Sequence, residues 1–373
     1  MARTVVGAGD PKAVKRYSAF LAVDVGRKSY FNKKFMGEGE QAQTPLQTLP
    51  QLENDAGDTI TYDLVMQLKM KPVQGDGVLR GQEENLNFYT DSVAIDQLRG
   101  GVNTGGKMTR KRTIHDLRAV ARVRQSEWWA RLFDETIFTY LSGARGINAD
   151  YIEDTTFTGY ALNPLVSPDS IHLVYSGAAT AKNNMVVGDK IALLDIDKLV
   201  GKARVLGGGT SGIPAIQPIE LDGEERYVLV MNPYSEYDLR TNTSTGQWLD
   251  IQKAAATNEG RNNPIFLGSL GLYNNVVLHS HRAAIRFGDY GAGANVTAGR
   301  NLFLGRQAGV VAFGSPGTGL RFDWNEELED RGNQIVITTS SIFGIKKTAF
   351  TIAGQSYDFG IVALDSAIDT TKF

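Results

Sequence analysis

The stretch TITYDLVMQLKMK, Thr59–Lys71, places an apolar side chain on every second position six times in succession: Ile60, Tyr62, Leu64, Met66, Leu68 and Met70. Thr61, Asp63, Gln67, Lys69 and Lys71 take the alternate positions, and only Val65 breaks the pattern. A period of two is the signature of a half-buried strand. At roughly 3.4 Å per residue such a strand reaches about 44 Å, well beyond the usual length of about 5 to 6 residues. Gly75, Asp76, Gly77, Arg80, Gly81, Gln82, Glu83 and Glu84 make a polar tip, after which a second strand-like run, Asn87 to Gln97, alternates Tyr89, Val93 and Ile95. The pair predicts a long hairpin, an arm. A two-stranded hairpin is marginal alone in water, so its apolar face must lie on the chain's own core or on another molecule.

Composition narrows the rest. With 373 residues and 42% apolar content, the chain can build one large or two ordinary domains with real cores. It has no cysteine, which excludes disulfides, thiolate metal sites and cysteine nucleophiles together. The net charge of -2 lacks the basic excess of a dedicated nucleic-acid binder, but charge is unevenly placed. Lys107, Arg110, Lys111, Arg112, Arg118, Arg122, Arg124 and Arg131 face only Asp116 and Glu127 in their stretch, while Asp323 to Asp330 holds five acids and no base. No apolar run reaches the ~20 residues that span a bilayer, and the N-terminus lacks a signal-peptide core. The expectation is a protein made and kept in a cytoplasm-like compartment, with no membrane partner.

Residues 1–56 read as an extended arm with a short helix. Lys12, Lys15, Arg16, Arg27, Lys28, Lys33 and Lys34 are interleaved with Tyr17, Phe20, Leu21, Tyr30, Phe31 and Phe35, a pattern that suits contact with phosphates and bases and equally an amphipathic segment across a partner subunit. After the hairpin, Thr113 and Asp116 open the longest helical pattern and Gly143 closes it. Ile114, Leu117, Ala121, Trp128 and Leu132 recur at helical spacing, widened by Phe133, Ile137, Tyr140 and Leu141, a rod of roughly 45 Å with one side packed on a sheet. Arginines in its first turns oppose the helix dipole by about 0.3 to 1 kcal/mol each, which acidic neighbours or nucleic acid would offset; a solvated basic face is an equal reading. A further helix is predicted over Asp189 to Val205. Strands follow at Arg226 to Met231, Asn275 to His279 and Ala283 to Phe287, with a turn at Asn232 and Pro233 and a helix through Trp248 to Ala256. Glycines crowd 288 to 319, which reads as turns and loops. Gln334 to Thr339, Phe343 to Phe350 and Gly360 to Leu364 return to strand character. The class is α+β, since strands and helices do not alternate regularly.

No motif carries catalysis. Gly101 to Lys107 has the glycine spacing and lysine of a phosphate-binding loop, but Met108 stands where a hydroxyl must reach magnesium. Asp358, Phe359 and Gly360 spell a kinase tripeptide without the catalytic loop or lysine strand that give it meaning. His279 and His281 share a strand face and could offer two metal nitrogens, yet no third ligand is identifiable, so a structural pair at a sheet rim is the simpler reading. Gly207, Gly208, Gly209 and Gly212 lack the strand-before, helix-after context of a dinucleotide site. Glu326, Glu327, Glu329 and Asp330 read as a solvated acidic face. No cofactor, metal or catalytic residue is expected.

The order of elements, together with several phrases, resembles the major capsid proteins of tailed bacteriophages with the HK97-like fold, and more closely their N4-like branch. The phrases are RKSYFNKKFMGEGE at 27–40, TITYDLVMQLKMKPVQGDGVLRGQEENL at 59–86, ERYVLVMNPYSEYDLR at 225–240, NPIFLGSLGLYNNVVLHSH at 263–281, and FGIKKTAF with DFGIVALD near the end, within 343–365. The resemblance covers nearly the whole chain. It implies an N-terminal arm at 1–56, an extended β-hairpin loop at 57–106 lying over a neighbouring subunit, a peripheral domain with a spine helix at 107–215, an axial domain at 216–330, and C-terminal strands at 331–373 returning to the peripheral domain. Intersubunit contacts are then expected from Ile60, Tyr62, Leu64, Met66, Leu68, Met70 and Arg80 on the loop. Lys12, Arg16, Tyr17, Phe20, Arg27, Lys33 and Lys34 would supply those of the arm. Lys107, Arg110, Lys111, Arg112, Arg118, Arg122 and Arg124 form a candidate basic inner face.

The implied function is self-assembly, as pentamers and hexamers, into an icosahedral shell around double-stranded DNA. Heterologous contacts that close into rings suit such assembly, and strand addition suits the arm. The lysine and asparagine that crosslink subunits in the fold's namesake have no identified counterpart, so assembly is expected to be noncovalent. A separate scaffolding protein, a portal and a decoration protein are the candidate partners. Two other readings compete: an encapsulin-like compartment shell that packages an enzyme, and a nucleotide-dependent enzyme using Gly101 to Lys107. Cargo separates the first, and phosphate release by a Lys107→Ala variant the second.

Overall fold

The computed structural model describes residues 11–39, 42–53, 57–65, 68, 70–160, 162–207, 213–221, 223–242, 269–315 and 320–372. From the N-terminus run α1 (Pro11–Lys28), α2 (Tyr30–Lys34), β1 (Met36–Glu38), β2 (Leu46–Leu49), β3 (Thr59–Val65), β4 (Phe88–Ala94), β5 (Asp96–Asn103), α3 (Lys107–Arg112) and α4 (Leu117–Ser142). Then come β6 (Leu173–Tyr175), α5 (Leu193–Val205), β7 (Ile219–Leu221), β8 (Glu224–Met231), α6 (Pro233–Thr241), β9 (Gly271–Tyr273), β10 (Val276–Ser280) and β11 (Arg286–Tyr290). The remaining strands are β12 (Val296–Leu304), β13 (Gly309–Gly314), β14 (Phe322–Glu329), β15 (Gln334–Lys347), β16 (Ala349–Ile352), β17 (Gln355–Asp358) and β18 (Ile361–Ala367). The helix expected through Trp248 to Ala256 lies outside the described residues.

The N-terminal region is not an extended arm over residues 11–49. Pro11 occupies the first helical position, where its missing N–H costs nothing, and α1 runs for 18 residues. Leu21 and Val25, one turn apart, are buried, as are Phe31 and Phe35 of the following segment. All four join the main core. Asp134 fixes the junction by accepting hydrogen bonds from Ser29 Oγ at 2.7 Å, Tyr30 N at 2.8 Å and Phe31 N at 3.2 Å. The aromatic interleaving that suggested a partner surface therefore serves this chain's own packing at Tyr30, Phe31 and Phe35; Phe31 and Phe138 meet edge to face at 4.8 Å.

The spine helix forms with 26 residues, about 39 Å at 1.5 Å per residue, but it starts at Leu117, and Thr113, expected to open it with Asp116, instead ends α3. Asp116 Oδ1 accepts from Arg118 N and Ala119 N, which satisfies orphan donors of the first turn. Gly143 ends it with φ +69°, and a Cβ there would sit 2.1 Å from Val166 O. Ile114, expected on the stripe, precedes the helix and is almost fully exposed. Trp129 Nε1 donates to Thr339 Oγ1 at 2.8 Å and Gln125 Nε2 to Ile337 O at 3.2 Å, which lays α4 on β15.

Among the described residues the strands form two large sheets and two hairpins. The first sheet is ordered β1-β2-β13-β15-β14, with β5 also paired to β15. The second is ordered β6-β18-β12-β8-β10-β9, with β11 on β12 and β7 on β8. Helix α4 and the N-terminal aromatics share one buried cluster with Phe313 and Ile345 of the first sheet and with Val230, Val277 and Leu302 of the second. On the second sheet's other face, α5 packs Ile196, Leu199 and Val200 against Leu229, Leu278, Phe303 and Leu364. Strands covered on both faces read as continuous apolar runs, and each fully buried Leu, Val or Phe contributes roughly 1.5 to 3 kcal/mol.

Several sequence expectations shift here. The glycine-dense span contains β12 and β13, both almost wholly buried. Its glycines permit close approach instead: a Cβ at Gly309 would meet Leu46 Cδ2 at 2.9 Å and Leu141 Cδ2 at 3.0 Å. Asn232 does not turn the chain but caps α6, its side chain accepting from Tyr234 N. The strand expected at Ala283 to Phe287 begins only at Arg286, and the helix expected from Asp189 begins at Leu193. Asp189 instead takes the backbone N–H groups of Ala178 and Val186. The division at residue 330 does not follow the pairing, because β13 and β14, inside 216–330, belong to the sheet that β15 centres. The last strand, β18, lies within the other sheet.

Candidate subunit-contact surfaces

The hairpin is divided in two. Its base pairs β3 with β4 in antiparallel register, Ile60 opposite Val93, Tyr62 opposite Asp91 and Leu64 opposite Tyr89. Ile60 and Tyr62 are buried against Leu49, Val310, Ala312, Phe350, Ile352 and Phe359. This corrects the expectation that they face another subunit: the first half of the stripe covers the chain's own core, with Leu64 half-buried beside it. Tyr62 Oη donates to Asp91 Oδ2 at 2.7 Å, and Lys346 Nζ ties Asp91 Oδ1 to the first sheet at 2.5 Å. Burial first, then the Asp91 carboxylate, push the Tyr62 phenol well above its ordinary range.

Among the described residues the pairing reaches Val65, where the sequence predicts it to Lys71. The residues opposite that span in sequence, Gly81 to Asn87, are polar or glycine except Leu86, so they offer the apolar stripe little to pair with. Met66 lies outside the described residues. Leu68, Met70, Val78, Leu79 and Leu86 are each at least half exposed, and Arg80 at the tip is exposed. A run of uncovered large apolar side chains is the mark of an interaction surface.

Part of the basic set is neutralised within the chain. Arg118 meets Glu326 at 2.7 Å, Arg124 meets Glu127 at 2.8 Å, and Arg122 lies 3.9 Å from Asp24 of α1. Arg110 donates to Asn333 O at 3.1 Å. Acidic neighbours thus offset the helix dipole. Of the four acids expected on a solvated face, Glu327, Glu329 and Asp330 are exposed, whereas Glu326 has a side chain only 7% exposed and also accepts from Trp324 Nε1. Lys107, Lys111 and Arg112 of α3 are exposed. In the N-terminal set, Phe20 and Arg27 are exposed and Lys34 Nζ lies 4.9 Å over the Tyr30 ring. The side chains of Lys12, Arg16, Tyr17 and Lys33 lie outside those described.

The apparent phosphate loop dissolves, since Gly101 is inside β5 opposite Thr338 and Lys107 N donates to Asn333 Oδ1. His279 and His281 pack among rings: His281 stacks on Phe138 at 5.2 Å and His279 meets Phe35 at 5.2 Å. Burial, then the nearby Arg282 and Lys34 charges, lower the His281 pKa to about 4. Beside it Asp134, pushed up by burial to about 6 against its three hydrogen bonds, lines a cavity of about 380 Å³ with Lys28, Arg131, Glu135 and Arg282. The sequence reading missed Asp134; an acid amid the apolar stripe of a helix was its only signal.

A long helix spanning two mixed sheets, with an anchored hairpin whose far end is uncovered, defines a shell-building subunit of the HK97-like fold. The chain belongs to the phage capsid protein family, whose model matches residues 5–370, and within it stands with the major capsid proteins of tailed phages. It is 24% identical, over 360 residues and 90% of each chain, to the major capsid protein of Pseudomonas phage KPP25. It is 47% identical to the chain in the capsid structure of Ralstonia phage GP4, covering 100% of both with a TM-score of 0.85. The cyanophage Pam1 capsid structure shares its fold at 21% identity and a TM-score of 0.69, over 92% of this chain and 93% of that one. A protein of this family self-assembles into a shell and forms part of the virion. These relatives give no support to the compartment-shell alternative.

Proposed function

We propose that the chain assembles through pentamers and hexamers into the icosahedral shell that encloses the double-stranded DNA of a tailed phage, in the host cytoplasm and without catalytic activity. The carrying observation is the divided hairpin: a base locked to its own core by Ile60 and Tyr62, and an apolar far end left open from Leu68 to Leu86. An arm anchored in one subunit and uncovered at its end supplies half of a heterologous contact, the kind that closes into rings. In this reading Leu68, Met70 and Arg80 lie on a neighbour, and Ile60, Tyr62 and Leu64 hold the arm's angle. In the same reading α4 with the sheet that β15 centres builds the peripheral domain, and the sheet of β8, β10 and β12, with α5, β6 and the returning β18, builds the axial domain. The exposed Lys107, Lys111 and Arg112 contact packaged DNA without sequence preference. A scaffolding protein, a portal and a decoration protein complete the set of partners.

Expression followed by negative-stain microscopy tests the reading, with nuclease-resistant DNA expected inside particles from infected cells. Changing Leu68, Met70, Val78 and Leu79 together to Ser should leave a folded, soluble subunit of unchanged circular dichroism that makes no particles. Normal particles from that variant would sink the assignment of the arm, and a wild-type chain that stays monomeric under assembly conditions would sink the function.

A further inference from the structure

Two ionisable side chains meet inside the protein where β15 and β17 end. Lys347 is the last residue of β15 and Asp358 the last of β17, and each is only 3% exposed. Lys347 Nζ lies 2.7 Å from Asp358 Oδ1, so the amine and the carboxyl group are in direct contact. Both backbones are pinned. Asp358 N–H donates to Asp169 Oδ2 at 2.8 Å, the same oxygen that lies 2.7 Å from buried His172 Nδ1. Thr348 N–H donates to Ala308 O, and Phe359 N–H to Thr348 O. Phe350 and Phe359, edge to face at 5.6 Å, belong to the buried cluster on the flanking residues.

We propose that Lys347 and Asp358 become joined by an intrachain amide between Nζ and the Asp358 side-chain carbonyl carbon. Burial disfavours both charges: it lowers the Lys347 pKa and raises that of Asp358, while each partner's charge pulls the other way. Moving one proton from Nζ to the carboxylate turns the ion pair into a neutral amine and a carboxylic acid with no change in net charge. The Nζ lone pair then attacks Cγ and forms the C–N bond. The nitrogen releases a proton, the Asp358 hydroxyl gains one, and that oxygen leaves as water. One water is released per bond, and no oxidant or cofactor enters the balance. Fixed proximity takes the place of chemical activation, as it does when reacting atoms are held about 3 to 3.5 Å apart. The bond would close a ring around residues 348–357 and weld the β16–β17 hairpin to the end of β15. Lying within one chain, it leaves contacts between subunits noncovalent.

The test is mass spectrometry of the whole protein and of its tryptic peptides, on soluble subunit and on assembled particles. Trypsin cuts after Lys346 and meets Lys347 next, with no further Lys or Arg before Lys372. With the amide in place, the intact chain is one water lighter than its sequence, and residues 347–372 emerge as a single internally closed peptide that is also one water light. Release of 348–372, with or without loss of water, means a free Lys347 and overturns the proposal; so does 347–372 at full mass. Lys347→Met and Asp358→Ala should each restore the full intact mass. A water loss that persists in Lys347→Met places the dehydration elsewhere and equally overturns the bond.

Discussion

Asp134 and His281 show how single residues can set opposite pH dependences in one cavity. The folded-state pKa of Asp134, about 6, lies above its unfolded value, so its contribution is complete below the unfolded pKa and is lost as pH rises through 6. His281, depressed to about 4, contributes fully above its unfolded pKa near 6.5 and loses that as pH falls toward 4. Between pH 4 and 6 the two largely cancel. In Asp134→Asn the first slope disappears, so the variant should gain about 2 kcal/mol on wild type between pH 4 and 7 in denaturant unfolding of the soluble subunit. His281→Phe should show the reverse trend. A second residue-scale prediction concerns Arg300, whose Nε and Nη2 each donate to buried Asp365 at 2.7 Å and whose Nη1 donates to Ser142 O at 2.7 Å. Tyr290 Oη completes the set on Asp365 at 2.6 Å. Removing one partner strands a buried charge, so Asp365→Ala should cost about 3 to 5 kcal/mol in the same assay.

At the scale of elements, the clearest lesson is the difference between α4 and the hairpin. The helix was legible because its start and stop are local: Asp116 caps and Gly143 turns left-handed, whatever the helix packs against. Gly143→Ala should therefore destabilise by more than about 1 kcal/mol through its positive φ alone, and further because the new Cβ meets Val166 O; thermal unfolding of the subunit checks it. The hairpin's alternation was equally plain, but alternation reports that one face is apolar, not what covers it. Only the fold places Phe350 and Phe359, nearly 300 residues onward, beneath Ile60 and Tyr62. For the same reason the N-terminal aromatics passed for a free arm, since their partners Phe138 and His281 are distant in sequence. The glycines of 288–319 misled because glycine signals close approach in a sheet as readily as a turn. Ile60→Ser with Tyr62→Ser should lower subunit stability, whereas the far-end serines of the arm should not; unfolding midpoints of the two variants make the comparison.

For the whole molecule, α1, α4 and both sheets share one apolar cluster, so the chain should unfold as a unit and not lobe by lobe. Deleting residues 1–28 would remove Leu21 and Val25 from the core and uncover the faces of α4 and β14 on which α1 packs, and is expected to give insoluble protein. A truly free arm would leave soluble subunits, so recovery in the soluble fraction decides the matter. The order of elements along nearly the full length marks the family, and a sequence carries that order well. How those elements share sheets it carries poorly, as β13 and β14 show.

The placement of β15 and β18 bears on when the protein can be finished. β15 is the centre of the first sheet, and β18 lies between β6 and β12 in the second. While the ribosome has not yet made Ala367, the second sheet lacks an inner strand and β12 has one edge open. Pairing over such separations is slow, and a chain still in synthesis cannot present the finished subunit surface. A nascent capsid subunit is in this way kept from joining a shell until β18 has been made, a clock written into strand order.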